Sequence, residues 1–223
     1  MSSSFIINDI HDEIKNIKDN SIDLIYTNPP FGTTQKKWDK QLDFNMLFLE
    51  MDRILKPNGT ILLHCSIPFT YNLISIRKPK YHYTWKKNNP TGFFQAKIQP
   101  LRDIEEILVY YKSKPTYNPQ MDGIEEISYN RRNKYDGYYG KQIANKTNQK
   151  GKYPKTFLGN FKRILQKNNP KSINELITRK MILTHSNEND LILDMTCCSK
   201  NNSIISNQLN RNYIGIDISD EFL

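Results

Sequence analysis

The feature that most constrains this chain is a set of short, almost wholly apolar runs, each stopped by a turn signal or a polar boundary. They are Ser21–Thr27 (SIDLIYT), Thr60–Ser66 (TILLHCS), Asp190–Asp194 (DLILD) and Tyr213–Asp217 (YIGID). Runs without polar alternation fit strands covered on both faces. The first run ends where Pro29 and Pro30 fix φ and cannot donate to a ladder. Leu47, Met51, Ile54 and Leu55 repeat at helical spacing, and Lys56-Pro57-Asn58-Gly59 stops that helix. Further helices are predicted over Pro68–Arg77, Ile173–Leu183 and Asn201–Leu209, and further strands over Tyr81–Lys87 and Glu105–Lys112. Strands alternating with helices imply an α/β fold with a parallel, doubly wound sheet. From Ser113 to about Arg163 no periodicity is visible, which predicts a long functional loop region or a small irregular subdomain.

Composition excludes several classes. No apolar run approaches the roughly 20 residues of a membrane span, so no membrane association is expected. The start, MSSSFIINDIHDE, lacks the layout of a secretory signal. The chain is therefore expected inside the cell, in the cytoplasm, or in the nucleus if its host is eukaryotic or it is viral. Cys65, Cys197 and Cys198 form neither a disulfide framework nor a zinc spacing, so no metal is expected and free thiols fit a reducing compartment. Of the 32 Lys and Arg residues, 21 lie between Arg77 and Lys171, against 7 of the 23 Asp and Glu, so the basic excess sits wholly mid-chain. It is interleaved with Tyr, Phe and Trp, a pattern that attracts nucleic acid by counterion release and base stacking. The blander use of such lysines is a solvated face.

The segment IDLIYTNPPFGTTQKKWD delivers Asn28-Pro29-Pro30-Phe31 to the carboxyl end of a buried strand, where open α/β sheets bind ligands. This segment resembles motif IV of the amino-methylating DNA methyltransferases, the D/N/S-P-P-Y/F signature. The stretch WKKNNPTGFFQAKIQPLRDIEEILVYYK resembles the central part of adenine-specific members, and ILDMTCCSKNNSIISNQLNRNYIGIDIS their S-adenosylmethionine motif. Catalytic motif first and cofactor motif last is the order of the permuted β class. The resemblance implies one Rossmann-like methyltransferase domain over 1–223, with a basic target-recognition insertion over 113–165. It implies double-stranded DNA as partner, with a homodimer or a heteromeric partner subunit as further options.

The resemblance also assigns roles. Asn28 and the Pro29 carbonyl accept the hydrogens of an exocyclic amine, Pro30 stiffens the turn, and Phe31 stacks on a base flipped from the duplex. Tyr26 and Trp38 flank the motif and are secondary candidates, core packing being the commoner use of such rings. Asp194, Thr196, Asp217 and Pro170 match cofactor positions, and Arg131, Arg132, Lys134 and Lys141 lie in the basic insertion. The expected cofactor is S-adenosylmethionine and the expected reaction is methylation of adenine in DNA. The alternatives are a methyltransferase-derived DNA-binding protein or subunit without turnover, and a cytosine exocyclic-amine enzyme. Cys198 and Lys200 stand where the family has glycines, and a side chain at a position needing φ > 0 costs about 1–3 kcal/mol. That departure lowers the expected cofactor affinity.

Overall fold

A computed structural model of the chain describes residues 2–131, 135–136, 140–141, 145–159 and 175–219. The described chain forms two units, Met1–Asn118 with Thr156–Leu223, and Pro119–Lys155.

The larger unit contains β1 (Ser3–Ile7), α1 (Ile10–Glu13), β2 (Ile22–Thr27), α2 (Phe44–Ile54), β3 (Leu55–Cys65) and α3 (Phe69–Ile76). Along the chain these are followed by β4 (Tyr81–Thr91) and β5 (Arg102–Tyr110). The smaller unit holds β6 (Asp122–Arg131), β7 (Tyr135–Asp136), β8 (Gly140–Lys141) and β9 (Asn145–Lys152). The larger unit resumes with β10 (Phe157–Leu158), α4 (Glu175–His185), β11 (Leu191–Asp194), α5 (Asn201–Gln208) and β12 (Asn212–Asp217). Its sheet has eight strands in the order β1-β12-β11-β2-β3-β5-β4-β10.

Successive strand residues point to opposite faces, and two cores follow from that alternation. Ile25, Ile61, Leu63, Leu108 and Leu193 face one core with Phe44, Leu47 and Met51 of α2 and Phe69 and Leu73 of α3. Their neighbours Leu24, Tyr26, Leu62, Ile107 and Ile192 face the other with Ile177, Met181 and Ile182 of α4 and Ile205 of α5. All six residues of β2 are buried, as its unbroken apolar run requires. Asp43 caps α2 by accepting from the Asn45 and Met46 N–H groups.

One expectation is corrected, and two features go beyond what the sequence showed. The sheet is mixed, because β5 runs antiparallel to both β3 and β4; no crossover helix separates β4 from β5, so the chain reverses as a hairpin. β1 carries too short an apolar signal to be read, yet it pairs in parallel with β12 from Ser3 opposite Tyr213 to Ile7 opposite Asp217. The stretch without periodicity contains an antiparallel β6–β9 pair, with Asp122 opposite Lys152 and Glu126 opposite Lys150. Residues 122–126 of β6 are all exposed, so over that part of the strand no buried face prints a period of two on the sequence.

At the amino edge of the sheet, Asp23 binds three strands together. Its carboxylate accepts from Lys56 Nζ at 2.8 and 2.9 Å and from the Leu191 N–H at 2.9 Å. Asp23→Ala leaves a part-buried amide and an ammonium without their acceptor and is expected to cost about 2–3 kcal/mol. Asp23→Asn should recover part of it; urea unfolding midpoints measure both, and an unchanged midpoint in Asp23→Ala would show that the register is set elsewhere.

Candidate active site

β2 and β11 lie side by side in parallel, with Leu24 opposite Ile192 and Ile25 opposite Leu193. Both therefore release their following loops at one carboxyl edge, Asn28-Pro29-Pro30-Phe31 from β2 and Met195–Lys200 from β11.

Asn28 is half-buried, and its Oδ1 is shielded from solvent with no hydrogen-bond partner among the described residues. A buried acceptor left unmade costs about 1–3 kcal/mol, so such an atom marks a place for a donor. Pro29 is buried behind it, and Phe31 stacks on Phe69 with centroids 5.3 Å apart and planes at 22°. One face of the Phe31 ring is thus committed to the core. The loop beyond is wound around Asp39, whose carboxylate accepts from the backbone N–H groups of Gly32 (2.8 Å), Thr33 (3.0 Å) and Thr34 (2.7 Å). Burial raises the Asp39 pKa, but the hydrogen bonds from Thr34, Gly32 and Thr33 outweigh it and hold the carboxyl below its ordinary value. Gln41 donates to the Phe31 carbonyl at 2.9 Å and accepts from Asn72 of α3 at 3.0 Å.

The β11 loop is built on Asp194, a buried carboxylate accepting from Asn202 Nδ2 (2.9 Å), Tyr213 OH (3.1 Å) and the Thr196 N–H (3.3 Å). Burial raises its pKa, opposed by those bonds and one from Thr27. Its partners extend into a buried polar chain. Thr178 donates to Asn202 Oδ1 at 3.1 Å, Tyr26 OH lies 3.3 Å from Thr178 Oγ1, and His64 Nε2 lies 3.0 Å from Tyr26 OH. Since the single Thr178 hydroxyl proton goes to Asn202, Tyr26 must donate to Thr178 and His64 Nε2–H to Tyr26. Burial brings the His64 imidazole down to about 3, so it is neutral and fits that direction. A second bridge joins the two loops directly, Thr27 Oγ1 to Thr196 Oγ1 at 2.8 Å.

Beyond Thr196 the loop follows β12. The Cys197 N–H donates to the Ile216 carbonyl at 2.9 Å, and the Cys198 N–H to Asp217 Oδ2 at 2.8 Å. Gly215 permits this approach, because a Cβ there would meet Cys197 Sγ at 2.9 Å. Cys198 takes a left-handed φ of +29°, whereas Lys200 has φ −72° and ψ −5° as the residue before α5. Of the two positions where glycine was expected, only Cys198 occupies a backbone conformation that glycine favours.

The structure thus brings Asn28, Pro29, Pro30, Phe31, Asp194, Thr196 and Asp217 to the carboxyl ends of three neighbouring strands. Pro170, Arg132 and Lys134 lie outside the described residues, and Arg131 and Lys141 enter only through the backbones of β6 and β8. Tyr26 is wholly buried, while Trp38 is 45% exposed. Sequence reasoning passed over Asp39, Thr178 and Asn202, which hold the two loops. Among the described residues no group of three or more His, Cys, Asp or Glu side chains could hold a metal, and no helix is long and apolar enough to cross a membrane.

The family model described as DNA methylase (N6 and N4 methyltransferases) matches residues 22–223. The type II methyltransferase M.HpaI of Haemophilus parainfluenzae is 30% identical over 228 residues, covering 94% of this chain and 68% of its own length. M2.DpnII of Streptococcus pneumoniae is 22% identical, with 94% and 82% covered. Among solved structures, the M1.HpyAVI–SAM complex shares the fold at a TM-score of 0.63 and 21% identity, over 99% of this chain and 95% of that one. The PvuII cytosine-N4-specific DNA methyltransferase does so at 0.70 and 13%, over 100% and 84%. The chain belongs to the N6/N4 DNA methylase family.

Proposed function

We propose that this protein methylates the exocyclic amine of adenine in double-stranded DNA, with S-adenosylmethionine as methyl donor. The observation that carries amine methylation is the shielded, unpartnered Oδ1 of Asn28 at the carboxyl end of β2, while the choice of adenine rests on the resemblance of the central segment to adenine-specific members. An adenine amine is a poor nucleophile because its lone pair is delocalised into the ring. Asn28 Oδ1 accepts one amine hydrogen and the Pro29 carbonyl the other, which draws the nitrogen toward tetrahedral geometry and frees the lone pair. Proline suits that position because its ring restrains the backbone and it brings no competing N–H. When bound, S-adenosylmethionine supplies a sulfonium methyl to that nitrogen. The left-handed turn at Cys198 keeps the backbone course that a glycine would give, so the loop fits the cofactor. Thr196, the Cys198 backbone, Asp217 and Pro170 would hold it. Asp194 acts one step back by fixing the loop. Arg131, Arg132, Lys134 and Lys141, within a recognition insertion over 113–165, supply phosphate contacts. The motif-first order supports placing the chain in the permuted β class.

One observation favours a second reading, a DNA-binding protein or partner subunit without turnover. A cysteine at φ +29° is strained, and it carries a side chain where the family has a glycine. Calorimetry with S-adenosylmethionine separates the two. Micromolar binding supports the enzyme, and absence of binding supports the second reading.

Two outcomes follow for variants. Asn28→Ala should lower methyl transfer by about 10²–10³-fold while DNA affinity changes little, because the acceptor acts mainly in the transition state. Asn28→Asp should preserve or raise turnover; an alanine variant at the parental rate would make the motif structural. Cys198→Gly should raise stability by about 1–3 kcal/mol through relief of the left-handed φ, and tighten S-adenosylmethionine binding by about tenfold by removing a side chain from the loop. Lys200→Gly should change it by less than about threefold, since its backbone is already unstrained. Equal gains from both changes would remove the conformational explanation.

A further inference from the structure

The β4–β5 hairpin continues past the end of β3. Thr27, Leu63, Leu108 and His82 stand at one level across β2, β3, β5 and β4. β5 begins at Arg102, six residues or about 20 Å of strand beyond Leu108, in the direction in which β2 runs from Thr27 to Asn28.

The tip of this hairpin is held by its own backbone. Gly92, at φ +94°, turns the chain, and a 3-10 turn over Phe93–Gln95 follows. The N–H groups of Gln95, Ala96 and Ile98 donate to the carbonyls of Gly92, Phe93 and Gln95 at 2.9, 3.1 and 3.0 Å. On this ordered turn Phe93 is 66%, Phe94 108% and Ile98 82% exposed. Three large apolar side chains within six residues, displayed and not packed, mark a contact surface. Its surroundings choose the partner. From Lys86 to Arg102 there are four basic residues and no acidic one. Lys86 and Lys87 lean on Asp103 and Glu105, whereas Lys97 and Arg102 have no ion-pair partner among the described residues. Arg102 also reaches the Ile67 carbonyl at 3.5 Å, tying the hairpin to the loop after β3.

Resting on the function proposed above, we propose that Phe93 and Phe94 wedge into the base stack of duplex DNA beside the nucleotide presented to Asn28. They occupy the gap that its extrusion leaves. Apolar side chains inserted at a base step hold the duplex open, and stacking on an aromatic ring is indifferent to sequence. The cationic flanks face the phosphates on either side.

Fluorescence anisotropy with two short duplexes of one arbitrary sequence, intact and carrying a central abasic site, tests this without knowledge of the target. The gap is already made in the abasic duplex, so the parent protein should bind it about tenfold more tightly than the intact one. The double variant Phe93→Ala/Phe94→Ala should lose that preference, with affinity for intact duplex within about threefold of the parent, since phosphate contacts supply non-specific binding. Its melting temperature should not change, and Phe94→Trp should keep the preference. Equal binding of both duplexes by the parent, or a preference retained in the alanine variant, overturns the wedge and leaves the methyltransferase reading standing. A change in oligomeric state on sedimentation, with the preference intact, overturns it in favour of contact between copies. Failure of the parent to bind either duplex at low salt removes DNA as the partner, and the wedge with it.

Discussion

The parallel pairing of β2 with β11 is the constraint on which the site depends. Their residues lie more than 160 positions apart in the chain, yet Ile25 stands opposite Leu193. A slip of one residue would turn every side chain of either strand to the other core. Two devices hold the register. Asp23 ties Lys56 and the Leu191 N–H at the amino edge, and Thr27 meets Thr196 at the carboxyl edge. Between them, His64, Tyr26, Thr178, Asn202 and Asp194 form one buried polar chain. A buried carboxylate is costly unless its lone pairs are used, and three donors from α5, β12 and the loop itself use those of Asp194. These bonds tie α4 and α5 to the sheet as a unit, while His64 Nδ1 at the end of the chain has no partner among the described residues.

Above this floor, at the carboxyl end of β2, the side-chain oxygen of Asn28 is one of six buried side-chain polar atoms without a hydrogen-bond partner among the described residues. The Asn28 oxygen sits where the backbone has been stiffened by two prolines and where Asp39 gathers the amides of the following loop. The loop geometry is therefore set before any ligand arrives. Preorganisation of this kind keeps the acceptor from relaxing onto a backbone donor of its own.

Much of this was legible from the residues. SIDLIYT, TILLHCS and DLILD are buried on both sheet faces, and such strands print themselves as unbroken apolar runs. Asn28-Pro29-Pro30 could be placed at a strand end because proline cannot continue a ladder. The rest was illegible for physical reasons. β1 pairs along a single edge with β12, and β6 has an exposed run, so neither carries a full apolar period. The antiparallel sense of β5 depends on a turn at Gly92 and not on the composition of the strand. Asp39, Thr178 and Asn202 matter through partners many residues away, or through backbone amides whose convergence only the folded loop creates. The strain at Cys198 could be suspected from its family position, but only the backbone angle separates it from Lys200.

The most direct measurement of the central claim is mass spectrometry of nucleosides from methylation-free bacterial DNA incubated with the purified protein and isotopically labelled S-adenosylmethionine. Such DNA presents every short sequence context, so the recognition site need not be known. The proposed adenine reaction predicts label in N6-methyladenine. Label confined to N4-methylcytosine would contradict the choice of base while keeping the chemistry. No labelled nucleoside from a protein that binds both DNA and S-adenosylmethionine would contradict the assignment of Asn28 as the acceptor for a reacting amine.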